Sequence, residues 1–232
     1  MSRIAVSTAA VLGLLLSAGC TGQAEQDARK SVDLGAFATE VMVMKMDGDQ
    51  THLALWYPYE FYVESGVADG DQRAQAEKHM AFLKPYITII VQCSTDKEDG
   101  TSIYVPEEQV RSRAVLMAGD GSQVLPLAKP PAMVSATVAA MKAVFAAEGD
   151  AGSANMHVLV FPNKGKDGKP LIDATVRGKL RLVLKADGNY KETEFVWNTP
   201  FDAMKSIPPC AKCKERVSAK WSFCPWCGEK LP

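Results

Sequence analysis

The amino-acid sequence predicts an α+β protein that is mainly β, with an antiparallel β-sandwich-like domain followed by a small C-terminal module. Short runs of alternating apolar and polar residues recur between residues 40 and 199, which is the pattern of β-strands. Asp-Gly pairs, which suit tight hairpins, separate many of these runs. Many short strands, hairpin turns and few helices favour a sandwich. The small module is indicated by four cysteines crowded into residues 208–232.

The composition fits a folded protein and argues against one class of partner. Of the 232 residues, 47% are hydrophobic, which is enough to build a core. The formal net charge of -1 argues against nucleic acid as a partner. The six cysteines are not arranged as a disulfide framework, because Cys20 and Cys93 each stand alone and the other four are clustered.

Two runs show the strand pattern most clearly. Residues 86–93 place four apolar residues on one face of a strand: Ile87, Ile89, Val91 and Cys93. Residues 179–185 place three leucines on one face and Lys and Arg on the other, as in a half-buried strand. Further strands are predicted at 41–46, 52–56, 101–105, 110–118, 123–127, 156–161 and 193–197.

Two or three helices interrupt these strands. Residues 72–83 follow Asp71, a suitable N-cap, and stop before Pro85. Residues 131–147 carry an apolar stripe at helical spacing, and a helical turn is predicted near 59–65. A doubly wound α/β fold is disfavoured because strands and helices do not alternate regularly and no Gly-rich phosphate loop follows a strand.

The N-terminus has the features of an export signal. Arg3 precedes an apolar run from residue 4 to 16, which is too short to cross a hydrocarbon layer of ~30 Å but suits a signal peptide. Leu16-Ser17-Ala18-Gly19-Cys20 then places small residues before a cysteine. This segment resembles the lipobox of bacterial lipoproteins, although Ser17 stands where leucine is commonest. The resemblance implies cleavage before Cys20 and lipidation of that residue.

The same resemblance predicts where the protein resides. Residues 1–19 form the signal peptide and residues 20–36 a polar tether. Several acyl chains, at ~0.8 kcal/mol per buried methylene, would hold the protein stably on a membrane. Thr21, rather than aspartate, follows the cysteine, which implies transfer to the outer membrane. We therefore expect a lipid-anchored protein of the bacterial cell envelope that faces the periplasm; an ordinary cleaved secretory signal, or a short apolar N-terminal helix, is the alternative.

The C-terminal module contains two Cys-x-x-Cys pairs, Cys210 with Cys213 and Cys224 with Cys227, separated by ten residues. Each pair can form a tight turn that directs both sulfurs to one point, and two such turns close a tetrahedral site. Gly228 allows the backbone to turn so that amides face the thiolates. Residues 209–231 resemble the bacterial zinc-ribbon family, which often closes a chain with Phe-Cys-Pro-x-Cys-Gly. The resemblance implies one zinc ion held by these four cysteines.

Such a zinc ion would be structural, because four thiolates leave no open coordination position. Its binding would supply folding free energy that so small a module cannot obtain from apolar burial. Rubredoxin-type iron, a thioredoxin-like redox pair and two disulfides are the alternatives. The positive charges of the module are offset by its acidic groups and by a zinc tetrathiolate, so no nucleic-acid-binding face is predicted. Its aromatic residues are expected to cover the site, with partner contact as the alternative: Trp221, Phe223 and Trp226.

Outside this module, the residues Met42, Met44 and Met46 form the most suggestive pattern. On a strand their side chains share one face, and thioethers select Cu(I); His52 follows across the predicted turn. Because both faces of this strand are largely apolar, packing in the core is the favoured interpretation. His157 and Cys93 are likewise predicted to be packed core residues.

The sequence contains no nucleophile with a recognisable base and no paired histidines, so it does not indicate an enzyme. The β-rich domain is predicted at 37–204 and the zinc ribbon at 208–232, an arrangement that resembles uncharacterised bacterial proteins and implies no activity. We expect a membrane-anchored, non-enzymatic binding or scaffolding protein with a protein partner. Periplasmic handling of copper or zinc, and an enzyme with an unrecognised site, are the alternatives.

Overall fold

The computed structural model describes residues 34–64, 70–117, 119, 121–147, 149–165, 167–204, 210–215, 217–218 and 221–231. The predicted signal peptide, Cys20 and the tether up to residue 33 lie outside the described residues. Within the described ranges, no helix is both long and apolar enough to cross a membrane.

Antiparallel sheets with a few helices make up the described chain. The helices are α1 (Leu34–Val41), α2 (Tyr59–Glu64), α3 (Gly70–Met80), α4 (Glu107–Arg113), α5 (Ala132–Ala147) and α6 (Ala151–Ala154), with single turns of tighter helix at Ala81–Leu83 and Asp202–Met204. The strands are β1 (Met42–Asp47), β2 (Gln50–Tyr57), β3 (Tyr86–Asp96), β4 (Ser102–Tyr104), β5 (Ala114–Met117), β6 (Gln123–Val124), β7 (His157–Pro162), β8 (Gly178–Leu184) and β9 (Thr193–Thr199). The predicted fold class is confirmed.

The strands form two sheets. The first has the order β1-β2-β3-β4, and β7 also pairs with β3; the second has the order β6-β5-β8-β9. Every strand pair described is antiparallel. The hairpin between β1 and β2 turns at Gly48, whose φ of 63° is a conformation that glycine adopts without steric cost.

The two sheets pack face to face around one core. Trp56 of β2 lies against Trp197 of β9, with ring centroids 6.1 Å apart, and both side chains are buried. The indole Nε1 of Trp197 donates a hydrogen bond of 2.7 Å to the carbonyl of Val41, which ties α1 to the second sheet. Buried side chains from both sheets belong to a single apolar cluster, as expected of a sandwich.

Strand β3 is buried on both faces. Ile89 lies opposite Trp56 in the sheet register and therefore faces the second sheet. On the other face, the Gln92 side chain donates a hydrogen bond to the carbonyl of Gly152 in α6. Since helices cover this outer face, the polar residues Thr88 and Gln92 are also buried.

The first half of one predicted strand is a helix. The sequence pattern predicts an extended segment over residues 110–118, but the chain forms α4 up to Arg113 and becomes β5 only at Ala114. Pro106 starts this helix with φ -63°, acidic residues occupy its first turn, and basic residues occupy its last turn, which complements the helix dipole. Helices α1 and α6 are absent from the sequence-based prediction. The other predicted strands and helices are confirmed, with ends shifted by a few residues.

Candidate metal centre

Two backbone turns of the same geometry place the four cysteines. The amide of Lys214 donates to the carbonyl of Cys210, and the amide of Gly228 donates to the carbonyl of Cys224, each at 2.9 Å. Lys214 has φ 64° and Gly228 has φ 72°. Each Cys-x-x-Cys segment therefore reverses direction at a left-handed residue directly after its second cysteine.

Further backbone hydrogen bonds close each turn. The amide of Cys210 donates to the carbonyl of Glu215 at 2.9 Å, and the amide of Cys224 donates to the carbonyl of Glu229 at 2.7 Å. In the second turn, Phe223 and Lys230 also form an antiparallel bridge. These bonds fix the backbone of a module that has few apolar residues to bury.

The four sulfurs converge on one point. The Sγ atoms of Cys210 and Cys227 lie 3.6 Å apart, as do those of Cys213 and Cys224. All four sulfurs lie within 4.8 Å of one another. Four sulfurs at ~2.3 Å from a zinc ion in tetrahedral geometry are about 3.8 Å apart. The cluster therefore has the dimensions needed to hold one metal ion, and its closed set of four donors leaves no position for a substrate.

The sulfurs influence one another's protonation. The amide of Cys213, followed by that of Lys212 and the neighbouring sulfurs, lowers the pKa of Cys210 to about 7 despite some burial. The amide of Glu215 lowers the pKa of Cys213, but burial and the sulfurs of the other cysteines together outweigh it and raise that pKa to about 12. The Cys210 thiol thus ionises readily, whereas the Cys213 thiol resists ionisation because negative charge accumulates on the neighbouring sulfurs. A bound cation would remove this opposition.

The aromatic residues of the module face outward. Trp221 is 40% exposed, Phe223 60% and Trp226 57%. The two indoles touch each other edge to face, with centroids 5.5 Å apart. Each of these side chains is thus about half exposed and presents part of its ring to solvent, as partner contact requires, while the alternative that they cover the metal site stays a prediction.

The methionines of β1 are not all core residues. Met42 packs against the core, but Met44 is 42% exposed and Met46 is 72% exposed. β1 is an edge strand of its sheet, so one side of it lacks a neighbouring strand among the described residues. Lys45 lies opposite His52, so His52 is on the other face of the sheet from the methionines. The core interpretation holds for Met42 alone, and His52 does not join the three sulfurs.

A buried polar cluster lies between the sheets, and no pattern in the sequence indicates it. Arg113 is buried and donates from Nε to the carbonyl of Lys185 at 2.7 Å and from Nη2 to that of Lys191 at 3.1 Å. Its guanidinium carbon lies 4.9 Å from the centre of the Tyr190 ring. These partners are 72 and 78 residues away along the chain, so only the sheet pairing brings them together.

His52 packs against the same Tyr190 ring, with centroids 6.4 Å apart, and is 1% exposed. Burial, and then the positive charge of Arg113, lower the pKa of His52. Among the described residues, neither His52 Nδ1 nor Arg113 Nη1 has a hydrogen-bond partner. Cys93 lies opposite His52 in the register, and burial raises its pKa to about 12, which fits an inert core thiol.

His157 is a satisfied core residue, as predicted. It is buried, and its Nε2 lies 2.8 Å from the carbonyl oxygen of Val105. The prediction for Cys93, which is 1% exposed, is also confirmed.

A cleft lined in part by Glu60, Lys84, Asn163 and Asp173 has a volume of about 50 Å³. Burial, with a smaller contribution from the Asp173 carboxylate, raises the pKa of Glu60. Ligand pockets usually measure about 300–1,000 Å³, so this cleft has room for little more than water. It does not support a substrate site.

The fold and the site together define a class: an antiparallel β protein with a four-cysteine module compatible with a small zinc ribbon. No family model and no curated protein matches the chain. Among solved structures, the chain is similar to a DUF4426 family protein from Pseudomonas aeruginosa PAO1, with 11% identity and a TM-score of 0.31. That similarity covers 68% of this chain and 93% of the other. At this level it supports no conclusion about family or function.

Proposed function

We propose that this protein is a membrane-anchored, non-enzymatic binding or scaffolding lipoprotein whose C-terminal ribbon holds one structural zinc ion. The convergence of four cysteine sulfurs, all within 4.8 Å of one another, carries the metal part of the proposal. Zinc is favoured because it accepts four thiolates in tetrahedral geometry without redox change. The ion stabilises the module and takes no part in catalysis.

The binding role is supported by features of both the ribbon and the β-rich domain. The closed donor set offers no reactive position, and the cleft of about 50 Å³ is too small for an ordinary substrate. The exposed aromatic residues of the ribbon instead offer a contact surface. The anchoring role rests on the apolar N-terminal run followed by Leu16-Ser17-Ala18-Gly19-Cys20.

Metal analysis with a thiol count tests the zinc assignment. Protein matured in its own cell envelope should contain one zinc ion per chain and no disulfide among the four ribbon cysteines. Cys213→Ser and Cys227→Ser should each lose the metal, whereas Cys93→Ala, which removes a thiol from the core, should retain it. Metal-free protein with four oxidised thiols, or protein loaded with iron, would overturn the assignment.

Membrane fractionation tests the anchor. The wild-type protein should partition into detergent, and Cys20→Ser should move to the soluble envelope fraction or keep an uncleaved signal. Equal partitioning of the two proteins would contradict lipidation at Cys20.

The exposure of Met44 and Met46 favours a second candidate function, the binding of Cu(I) by the β1 methionines. Exposed thioethers on one strand face can reach a soft cation, which buried ones cannot. Replacing Met42, Met44 and Met46 with leucine should then weaken Cu(I) binding in a chelator competition. Met133→Leu is the matched control, because Met133 is also exposed but lies on α5. Unchanged affinity in the triple variant would eliminate this candidate.

A further inference from the structure

Three large aromatic side chains are exposed on the ribbon, Trp221, Phe223 and Trp226, and we call them together the aromatic patch. They are 40–60% exposed, and the two indoles contact each other. The other large apolar side chains exposed in the described chain are aliphatic or methionine. Indole and phenyl rings are the side chains that concentrate where a bilayer meets water.

One basic side chain, Lys230, lies beside the aromatic patch. Lys230 is the bridge partner of Phe223, so the two side chains project from the same side of this short ladder. Lys212 instead lies 3.9 Å from the Glu229 carboxylate, and Lys214 Nζ donates to the carbonyl of Ala211 at 2.8 Å. Lysines next to interfacial aromatic rings can pair with lipid phosphates while the rings enter the headgroup region.

The size of the patch argues against a second copy of the chain as its occupant. An aromatic side chain can bury about 150–250 Å², so three half-exposed rings offer roughly 240–390 Å². A stable protein interface needs about 800 Å² on each partner. A bilayer has no such requirement, because each ring contributes independently as it enters the interface.

The proposed anchor keeps the fold close to a bilayer. Residues 20–33 connect Cys20 to the start of α1, and a chain of 14 residues can span at most about 50 Å. Such tethering raises the effective concentration of lipid at the protein surface. When the chain is anchored, the state in which the three rings are inserted in the bilayer interface can therefore be populated even though insertion is weak.

We propose that the aromatic patch is a lipid-binding surface that inserts into the headgroup region of the phospholipid bilayer carrying the anchor. This inference rests on the proposed anchoring at Cys20. The ligand class is a phospholipid surface, with the Trp221, Phe223 and Trp226 rings in the interface and Lys230 at the level of the phosphates. Insertion would hold the ribbon on the membrane as a second contact.

Tryptophan quenching in vesicles tests this surface. Mature lipidated protein is reconstituted into phosphatidylcholine vesicles with or without bromine on the acyl chains. Trp56 and Trp197 are buried in the sandwich, so contact quenching should come from Trp221 and Trp226. We expect brominated lipid to quench part of the emission of the wild-type protein, and Trp221→Tyr/Trp226→Tyr to abolish that quenched fraction. Leu125→Ala, which alters an exposed apolar residue outside the ribbon, should leave the quenching unchanged.

The outcomes separate this inference from the function on which it rests. Vesicle flotation reports the anchor, and zinc content reports that the ribbon has folded in every variant. Protein that floats with zinc bound but shows no quenching overturns the lipid surface and leaves the anchor intact. The lipid surface is also overturned if quenching persists in the double variant, or if the patch crosslinks to a protein and is not quenched. Loss of flotation refutes the anchor itself.

Discussion

At the residue scale, the two metal-binding turns differ in one position that matters. The second turn uses Gly228 at φ 72°, whereas the first uses Lys214 at φ 64°. A residue with a Cβ atom is strained in this region, and glycine is not. The first turn therefore contains backbone strain that the second avoids, although their hydrogen bonds are equivalent.

We predict opposite effects from exchanging these residue types. Gly228→Ala should lower zinc retention by about 1 kcal/mol or more, because alanine is strained at positive φ. Lys214→Gly should raise zinc retention slightly, because relief of strain exceeds the added freedom of the unfolded chain. Competition with a chromogenic chelator measures both. Equal losses of zinc affinity in Gly228→Ala and Lys214→Gly would show that the left-handed conformation does not decide which residue suits these two positions.

At the element scale, the loop between β8 and β9 closes one end of the sandwich. Arg113 donates to the carbonyls at both ends of this loop, and Tyr190 from the loop packs between Arg113 and His52. On the rim, Lys191 forms an ion pair of 2.8 Å with Asp47 of β1, which joins the two sheets. Protonation of His52 would place a second positive charge in this buried region, and the positive charge of Arg113 opposes it.

We therefore predict that the sandwich is destabilised by mild acid through His52. The unfolded histidine titrates near 6.5, and its folded pKa is lower because of burial and Arg113, with Asp47 acting weakly in the opposite sense. The folded state then binds fewer protons at His52 than the unfolded state does. The contribution of neutral His52 to the free energy of unfolding is therefore complete above pH 6.5 and is lost as the pH falls toward the folded pKa. Each pH unit in that window removes up to about 1.4 kcal/mol.

Denaturant unfolding between pH 8 and pH 5 measures this effect. His52→Gln should flatten the pH dependence of the free energy of unfolding. His79→Gln is the matched control, because His79 is exposed on α3 and should leave the slope as in the wild type. An identical slope in all three proteins would refute the assignment to His52.

At the scale of the whole molecule, the sandwich and the ribbon are stabilised by different means. The apolar clusters of the described chain contain no residue from 210–231. The sandwich depends on burial of residues such as Trp56 and Trp197, whereas the ribbon depends on its cysteines and backbone turns.

Removal of zinc is consequently predicted to unfold the ribbon and spare the sandwich. A strong chelator should leave the melting temperature of the β-rich domain unchanged while abolishing the metal-dependent structure of the ribbon. Circular dichroism during heating, with and without chelator, measures this. Trp197→Ala should do the reverse, with a loss of about 3–5 kcal/mol in the sandwich and zinc still bound. A melting temperature that falls with zinc removal would show that the two parts fold as one unit.

The sequence alone predicted the features that depend on neighbours along the chain. Two Cys-x-x-Cys pairs ten residues apart indicated the four-sulfur cluster, because a tight turn of a few residues sets where both sulfurs point. Alternation and Asp-Gly turns likewise indicated antiparallel sheets, since the side-chain period of a strand is local. Helix α4 was missed because its apolar residues also fit a strand, and its proline and charges decided otherwise.

The ribbon cysteines, the β-rich class and most element positions were thus determined by the sequence itself, through short-range geometry. Only the tertiary structure decided which side chains meet solvent and which meet one another. Packing leaves Met44, Met46 and the aromatic patch exposed, and it buries Arg113 and His52 against the same Tyr190 ring. The physical reason is that burial depends on sheet pairing and packing between residues far apart in the chain, which local patterns do not encode.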